Sequence, residues 1–183
     1  DNLVGGLEAG REGGLAAHRK IDQFTARQLD AVGRRKHHPR HVFLEDDHTV
    51  GIPSVKKDPV NPQQREGLMT PGWRDEEVDT TFTEKATDFI EENADGPFFL
   101  YLTPSAPHRP CVPPDFMKGK SDAGPRGDMV CLVDWMVGQV VEKLEEMGVR
   151  ENTLIIVTSD NGARLECYNG EDYGHKSCGN LRG

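Results

Sequence analysis

The run Thr153-Leu154-Ile155-Ile156-Val157 is the stretch that most narrows what this chain can fold into. It is apolar and β-branched, and too short for a buried helix. It therefore predicts a strand covered on both faces, the kind found inside parallel sheets. The run stops abruptly in Ser159-Asp160-Asn161-Gly162. Open α/β sheets bind ligands at the carboxyl ends of their strands. A carboxylate beside a carboxamide at that position offers two hard oxygen ligands, suited to Ca²⁺ or to Mg²⁺. Gly162 lets the chain turn away without a side chain crowding the site. Taken alone, Asp-Asn-Gly reads as a plain turn, since those residues dominate turns; its neighbours reverse that reading.

Upstream, Phe98-Phe99-Leu100-Tyr101-Leu102 predicts a second buried strand, running into Thr103-Pro104-Ser105-Ala106-Pro107-His108-Arg109-Pro110. The prolines restrict the loop and with it the excursions of His108. Between the two strands lies the clearest helix of the chain. Met129, Leu132, Val133, Met136, Val137, Val140, Val141 and Leu144 form one apolar stripe, and Gly148 sits where a helix-terminating glycine belongs. Strand, loop, helix, strand is a βαβ unit. It predicts parallel neighbouring strands, with His108 and Asp160-Asn161 on one edge of the sheet.

An earlier helix is predicted from Phe82, Ala86, Phe89 and Ile90, opened by a Thr81-x-x-Glu84 capping box and stopped between Asn93 and Pro97. Val42-Phe43-Leu44 reads as a strand, Glu45-Asp46-Asp47 as a turn, and His48 to Gly51 as the return arm of a hairpin. Pro53, Pro59, Pro62 and Pro71 make residues 53–72 a long surface loop. Residues 1–40 read as an irregular leader, with Ile21, Phe24, Gln28 and Leu29 hinting at one short helix; residues 41–183 read as the domain proper. His37, His38, His41 and His48 match no metal-site spacing and read as solvated. Cys167, His175 and Cys178 lack a fourth zinc ligand; a Cys167–Cys178 disulfide and two free thiols are both open. A formal net charge of −9 argues against nucleic acid as a partner. No apolar run is long enough to span a membrane.

Several of these segments together resemble the middle of a sulfatase catalytic domain. Pro97 to Leu102 followed by Ala106-Pro107-His108-Arg109-Pro110 is similar to that family, as are Gly119-Lys120-Ser121, Gly127-Asp128 and Asp134 to Gly138. Asn152 to Gly162 is the most specific piece. Gly174-His175-Lys176-Ser177 and Leu181-Arg182-Gly183 extend the likeness to the end, so that it covers about residues 41–183. It is nearest to the arylsulfatases.

The resemblance implies an α/β, alkaline-phosphatase-like fold, a sheet flanked by helices and here incomplete. It implies hydrolysis of sulfate esters, of a sulfated small molecule or glycan. The family's nucleophile is a formylglycine made from Cys or Ser in Cys/Ser-x-Pro-x-Arg; its hydrate attacks sulfur, the alcohol leaves, and the remaining hydroxyl expels sulfate. Ca²⁺, with Mg²⁺ as the other hard dication, neutralises the sulfate oxygens. By position, Asp160 and Asn161 resemble two of the metal ligands. His108 resembles the histidine that meets the sulfate group or the leaving oxygen. The family is commonly secreted, periplasmic or lysosomal.

No Cys/Ser-x-Pro-x-Arg occurs in the chain. Cys111-Val-Pro-Pro-Asp115 has Asp in place of Arg, lies after the histidine motif, and reads as a coincidence. Asp46-Asp47 lies too close to the middle motifs to be the family's opening aspartate pair. The expectation is a sulfatase segment holding half a site and inactive by itself. The alternatives are a related metal-dependent phosphate or phosphonate ester hydrolase, and a non-catalytic module that binds a cation or a sulfated sugar.

Overall fold

The computed structural model describes residues 24–28, 39–60, 64–163, 173–176 and 179–180, with the side chains of 24–28 excepted. Its strands are β1 (Phe24–Gln28), β2 (Arg40–Glu45), β3 (His48–Thr49), β4 (Val55–Lys57) and β5 (Gly67–Met69); its long helices are α1 (Val78–Asn93) and α2 (Gly124–Glu146). They form one mixed sheet in the order β1-β2-β5-β4, with β3 also on β2.

β2 is the organising strand. It pairs antiparallel with β1 from Phe24↔Glu45 to Gln28↔His41, and antiparallel with β3 across the expected hairpin turn. Asp46 takes a positive φ of 52° in that turn, a conformation Asp tolerates better than most residues. On its other side β2 runs parallel to β5, through Arg40↔Leu68 and His41↔Met69. Two expectations fail here. The hint of a helix around Phe24 and Gln28 gives way to β1, because the edge of β2 offers those residues backbone partners. Residues 53–72 are not all loop, since β4 and β5 pair antiparallel within them. Three-residue strands between prolines leave no readable alternation. Gly67 marks the close approach: a side chain there would run into the Pro39 carbonyl oxygen, which instead accepts the Leu68 N–H at 2.9 Å.

Beneath this sheet lies a polar cluster. The Lys57 Nζ sits 2.6 Å from Asp75 Oδ2, with both side chains less than a tenth exposed. Lys57 also donates to Gln64 Oε1 at 3.2 Å, and the Trp73 indole donates to Asp75 Oδ1 at 3.1 Å. A buried ion pair needs such extra hydrogen bonds to offset the loss of water. His41, expected to be solvated, is buried with its ring centroid 5.8 Å from that of Trp73. Its Nε2 has no hydrogen-bond partner.

α1 begins earlier than the capping box predicted. A 3₁₀ turn at Asp75–Glu77 leads directly into it, so Thr81 lies inside the helix and its hydroxyl donates back to the Glu77 carbonyl at 2.8 Å. Phe82, Ala86, Phe89 and Ile90 are buried, as their spacing required. α2 ends as its glycine predicted. Gly148 has φ +71°, its N–H donates to the Glu145 carbonyl at 2.9 Å, and the Val149 N–H donates to Leu144 at 3.0 Å. That pair of bonds is a Schellman closure. Val78 and Phe82 of α1 and Met129, Leu132 and Met136 of α2 share one core cluster with Ala106 and Met117.

The strands of the expected βαβ unit are the largest departure. Neither Phe98–Leu102 nor Thr153–Val157 forms a strand, and no ladder joins them. Exposure nonetheless alternates with period two over residues 98–102 and 153–156, and Val157, 63% exposed, breaks the pattern. Phe98, Leu100 and Leu102 are half-buried while Phe99 and Tyr101 are 78% and 79% exposed; Thr153 and Ile155 are half-buried while Leu154 and Ile156 are 84% and 77% exposed. One face of each segment is covered, and among the described residues nothing covers the other.

Candidate functional site

His108 is exposed, in a turn that its own N–H closes onto the Ser105 carbonyl at 3.0 Å. Its Nδ1 lies 2.7 Å from the Arg109 carbonyl oxygen. A carbonyl can only accept, so this contact assigns the hydrogen to Nδ1. In the neutral ring Nε2 is then the acceptor nitrogen. The Ala106–Pro107 and Arg109–Pro110 peptide bonds are both cis.

The loop is fastened at its base. Ala106 is buried in the core cluster, and Leu102 packs against the same residues. Asp79, in the first turn of α1 and only 3% exposed, accepts the Ser105 N–H at 2.7 Å, the Ser105 hydroxyl at 2.8 Å and the Ala106 N–H at 3.4 Å. Burial raises its pKa, and the bonds from Ser105 and Ala106 oppose that rise. The sequence reading passed over Asp79. Its signal was there, for residues 79, 82, 83, 86 and 90 share one helical face and Asp79 is the acid among them.

Asp128 does the same for the next loop. It lies buried near the start of α2 and accepts the Gly119 N–H and the Ser121 N–H, each at 2.9 Å. Cys111 is a free cysteine whose thiol is pushed up in pKa by burial, against the pull of Arg126. Asp115, four residues on, is paired with Lys118 at 2.6 Å.

Asp160 and Asn161 lie exposed in a bend. The Ser159 hydroxyl donates to the Asn161 carbonyl at 2.9 Å, and the Asn161 side-chain amide donates to the Gly162 carbonyl at 2.8 Å. The amide nitrogen is thus engaged within the bend, and the side-chain oxygen is the atom suited to a cation. In kind the donor set fits a hard dication; in number it offers two of the roughly six to eight oxygens that Ca²⁺ takes. Among the described residues no group of three or more His, Cys, Asp or Glu could hold a metal ion. His108 shares no hydrogen bond or ion pair with Asp160 or Asn161. The expected sheet edge carrying all three is not formed, because its two strands lack ladder partners. Cys167 and Cys178 lie outside the described residues.

The sulfatase family model matches residues 30–181. This chain belongs to the sulfatase family. It is 38% identical over 111 residues to an N-acetylgalactosamine-6-O-sulfatase of Bacteroides thetaiotaomicron, covering 58% of this chain and 22% of that protein. It is 39% identical over 98 residues to arylsulfatase H of Canis lupus familiaris, covering 54% and 17%, and 40% identical over 92 residues to steryl-sulfatase of Rattus norvegicus, covering 49% and 16%. The chain therefore matches about a fifth of the length of these relatives. A solved sulfatase from a Bacteroides thetaiotaomicron glycosaminoglycan-metabolism locus superposes with a TM-score of 0.51 at 26% identity, over 61% of this chain and 31% of the other. The mixed sheet flanked by helices is thus part of an alkaline-phosphatase-like fold. No described helix is long and apolar enough to cross a membrane.

Proposed function

We propose that this chain is the part of a sulfuric ester hydrolase that meets the sulfate group, with His108 as the proton-handling residue and Asp160 and Asn161 as two ligands of a Ca²⁺ or Mg²⁺ ion. The observation that most supports this reading is the family match over residues 30–181, which takes in all three residues. The geometry of His108 adds to it: the residue is exposed, and with Nδ1 occupied by the Arg109 carbonyl, Nε2 is the ring nitrogen left for an ester. Such an atom can hydrogen-bond an ester's leaving oxygen and pass it a proton. A bound dication would neutralise sulfate oxygens. The substrate class is a sulfated small molecule or glycan, as the names of the relatives suggest. No family nucleophile lies in residues 1–183, so the chain alone should be inactive.

Two measurements test this. The isolated chain should not turn over a chromogenic aryl sulfate, and Ca²⁺ titrated into it by calorimetry should bind only weakly. Robust turnover, or tight one-to-one binding abolished by Asp160→Ala, would show a complete site here. In a longer form that carries Cys/Ser-x-Pro-x-Arg, His108→Ala should lower kcat by about 10²–10⁴. Asp160→Ala should harm it more than Asn161→Ala, because a dication loses a charge as well as an oxygen. An aryl phosphate preferred over the aryl sulfate would move the reading to a phosphate ester hydrolase. Cation binding without turnover of either ester would move it to a binding module.

A further inference from the structure

We propose that Asp79 is the positioning residue for His108, acting through Ser105. The proposal rests on the reading of His108 as the residue that meets the ester. A carboxylate buried this deeply has to be satisfied by the protein, and Asp79 is satisfied from one place. Oδ1 takes the Ser105 N–H at 2.7 Å and the Ala106 N–H at 3.4 Å, and Oδ2 takes the Ser105 hydroxyl at 2.8 Å. Two oxygens holding the backbone and the side chain of one residue fix both its place and its rotation, as a single bond would not. The carbonyl of that same Ser105 accepts the His108 N–H at 3.0 Å. The path from helix to imidazole is therefore short: Asp79, Ser105, His108. The platform is rigid, because α1 packs into the core through Val78 and Phe82, the immediate neighbours of Asp79 on its buried side. Catalytic groups lose much of their effect when displaced by about 1 Å, so a loop tip that carries one gains from an anchor at its base.

An anchor for His108 and a merely structural carboxylate make different predictions in solution NMR of the 183-residue chain. Asp79→Ala should speed amide hydrogen exchange at Ser105, Ala106 and His108 by about tenfold or more, while the amides of Leu132 and Met136 in α2 stay protected. The His108 ring ¹⁵N signals should move from a fixed Nδ1–H tautomer toward the averaged values of a free imidazole. Asp79→Asn should restore part of both effects, since its one carbonyl oxygen still accepts from Ser105, and Ser105→Ala should fall between. If Asp79→Ala does not fold, the Asn and Ser105 variants carry the same comparison. Ring signals unchanged from wild type in the folded variants would overturn the proposal, as would exchange rising equally throughout α2. None of these readouts depends on sulfate chemistry. If His108→Ala left turnover intact in a longer form, the role given to His108 would fail while the anchoring result stood.

Discussion

Two kinds of segment in this molecule began from similar sequence signals and ended differently. α1 and α2 each carry a stripe of apolar residues; α1 buries its own, and α2 buries Met129, Leu132, Met136 and Leu144 and half-buries Val133, Val137, Val140 and Val141. Phe98–Leu102 and Thr153–Val157 were read from equally apolar runs, yet they form no ladder and leave Phe99, Tyr101, Leu154 and Ile156 exposed. The difference is where the backbone finds its partners. A helix satisfies its N–H and C=O groups within itself, so one face packed on a core is enough to hold it. A strand satisfies them on its neighbours, and the described residues supply these two segments with none. What survives is the half that needs no ladder: an alternation of faces, with Phe98 laid edge-on to Phe89 of α1 and Leu102 packed on the core cluster. β2 shows the converse. It is no more apolar than the two bare segments, but β1, β3 and β5 all pair with it.

The contrast can be tested through stability. The largest effect should come from the sheet region. Lys57→Met leaves Asp75 buried without its cation and should cost about 3–5 kcal/mol in urea unfolding, with a double variant that also replaces Asp75 by Leu regaining much of it. A double variant as unstable as the single one would show that the pair matters for its packing and not its charge. Next comes the helix core against the bare segments. Leu132→Ala, at a position 1% exposed, should cost about 2–5 kcal/mol. Leu154→Ala, at a position 84% exposed, should stay within about 0.5 kcal/mol. A comparable loss at both would mean that the 153–157 run is covered in solution.

The smallest effect should be a pH dependence. Burial, then the Lys57 cation, hold the His41 imidazole below its ordinary value of 6.5, with the Asp75 carboxylate pulling the other way. A histidine whose folded pKa is depressed leaves stability intact above its unfolded value. As pH falls through that value the unfolded chain takes up the proton first, so stability is lost. His41→Phe, which also removes the orphaned Nε2, should therefore flatten the fall in melting temperature between pH 7.5 and 5.5. An equally steep fall in the variant would assign the dependence to other groups.

What the sequence determined by itself was whatever depends on neighbours along the chain. The faces of α1 and α2, the stop at Gly148, the hairpin after Leu44 and the family motifs around His108 and Asp160-Asn161 are all local patterns, and all could be read. The tertiary structure alone decided what depends on partners distant in sequence. Lys57 and Asp75 look like ordinary surface charges until β4 and the turn before α1 are brought together. His41 looks solvated until Trp73 covers it. Asp79 is one acid among many until Ser105, 26 residues away, delivers its N–H and hydroxyl. The same reason explains the failed strands. Hydrophobic periodicity states which side of a segment prefers to leave water, but pairing is a property of two segments, and a one-dimensional pattern contains only one of them.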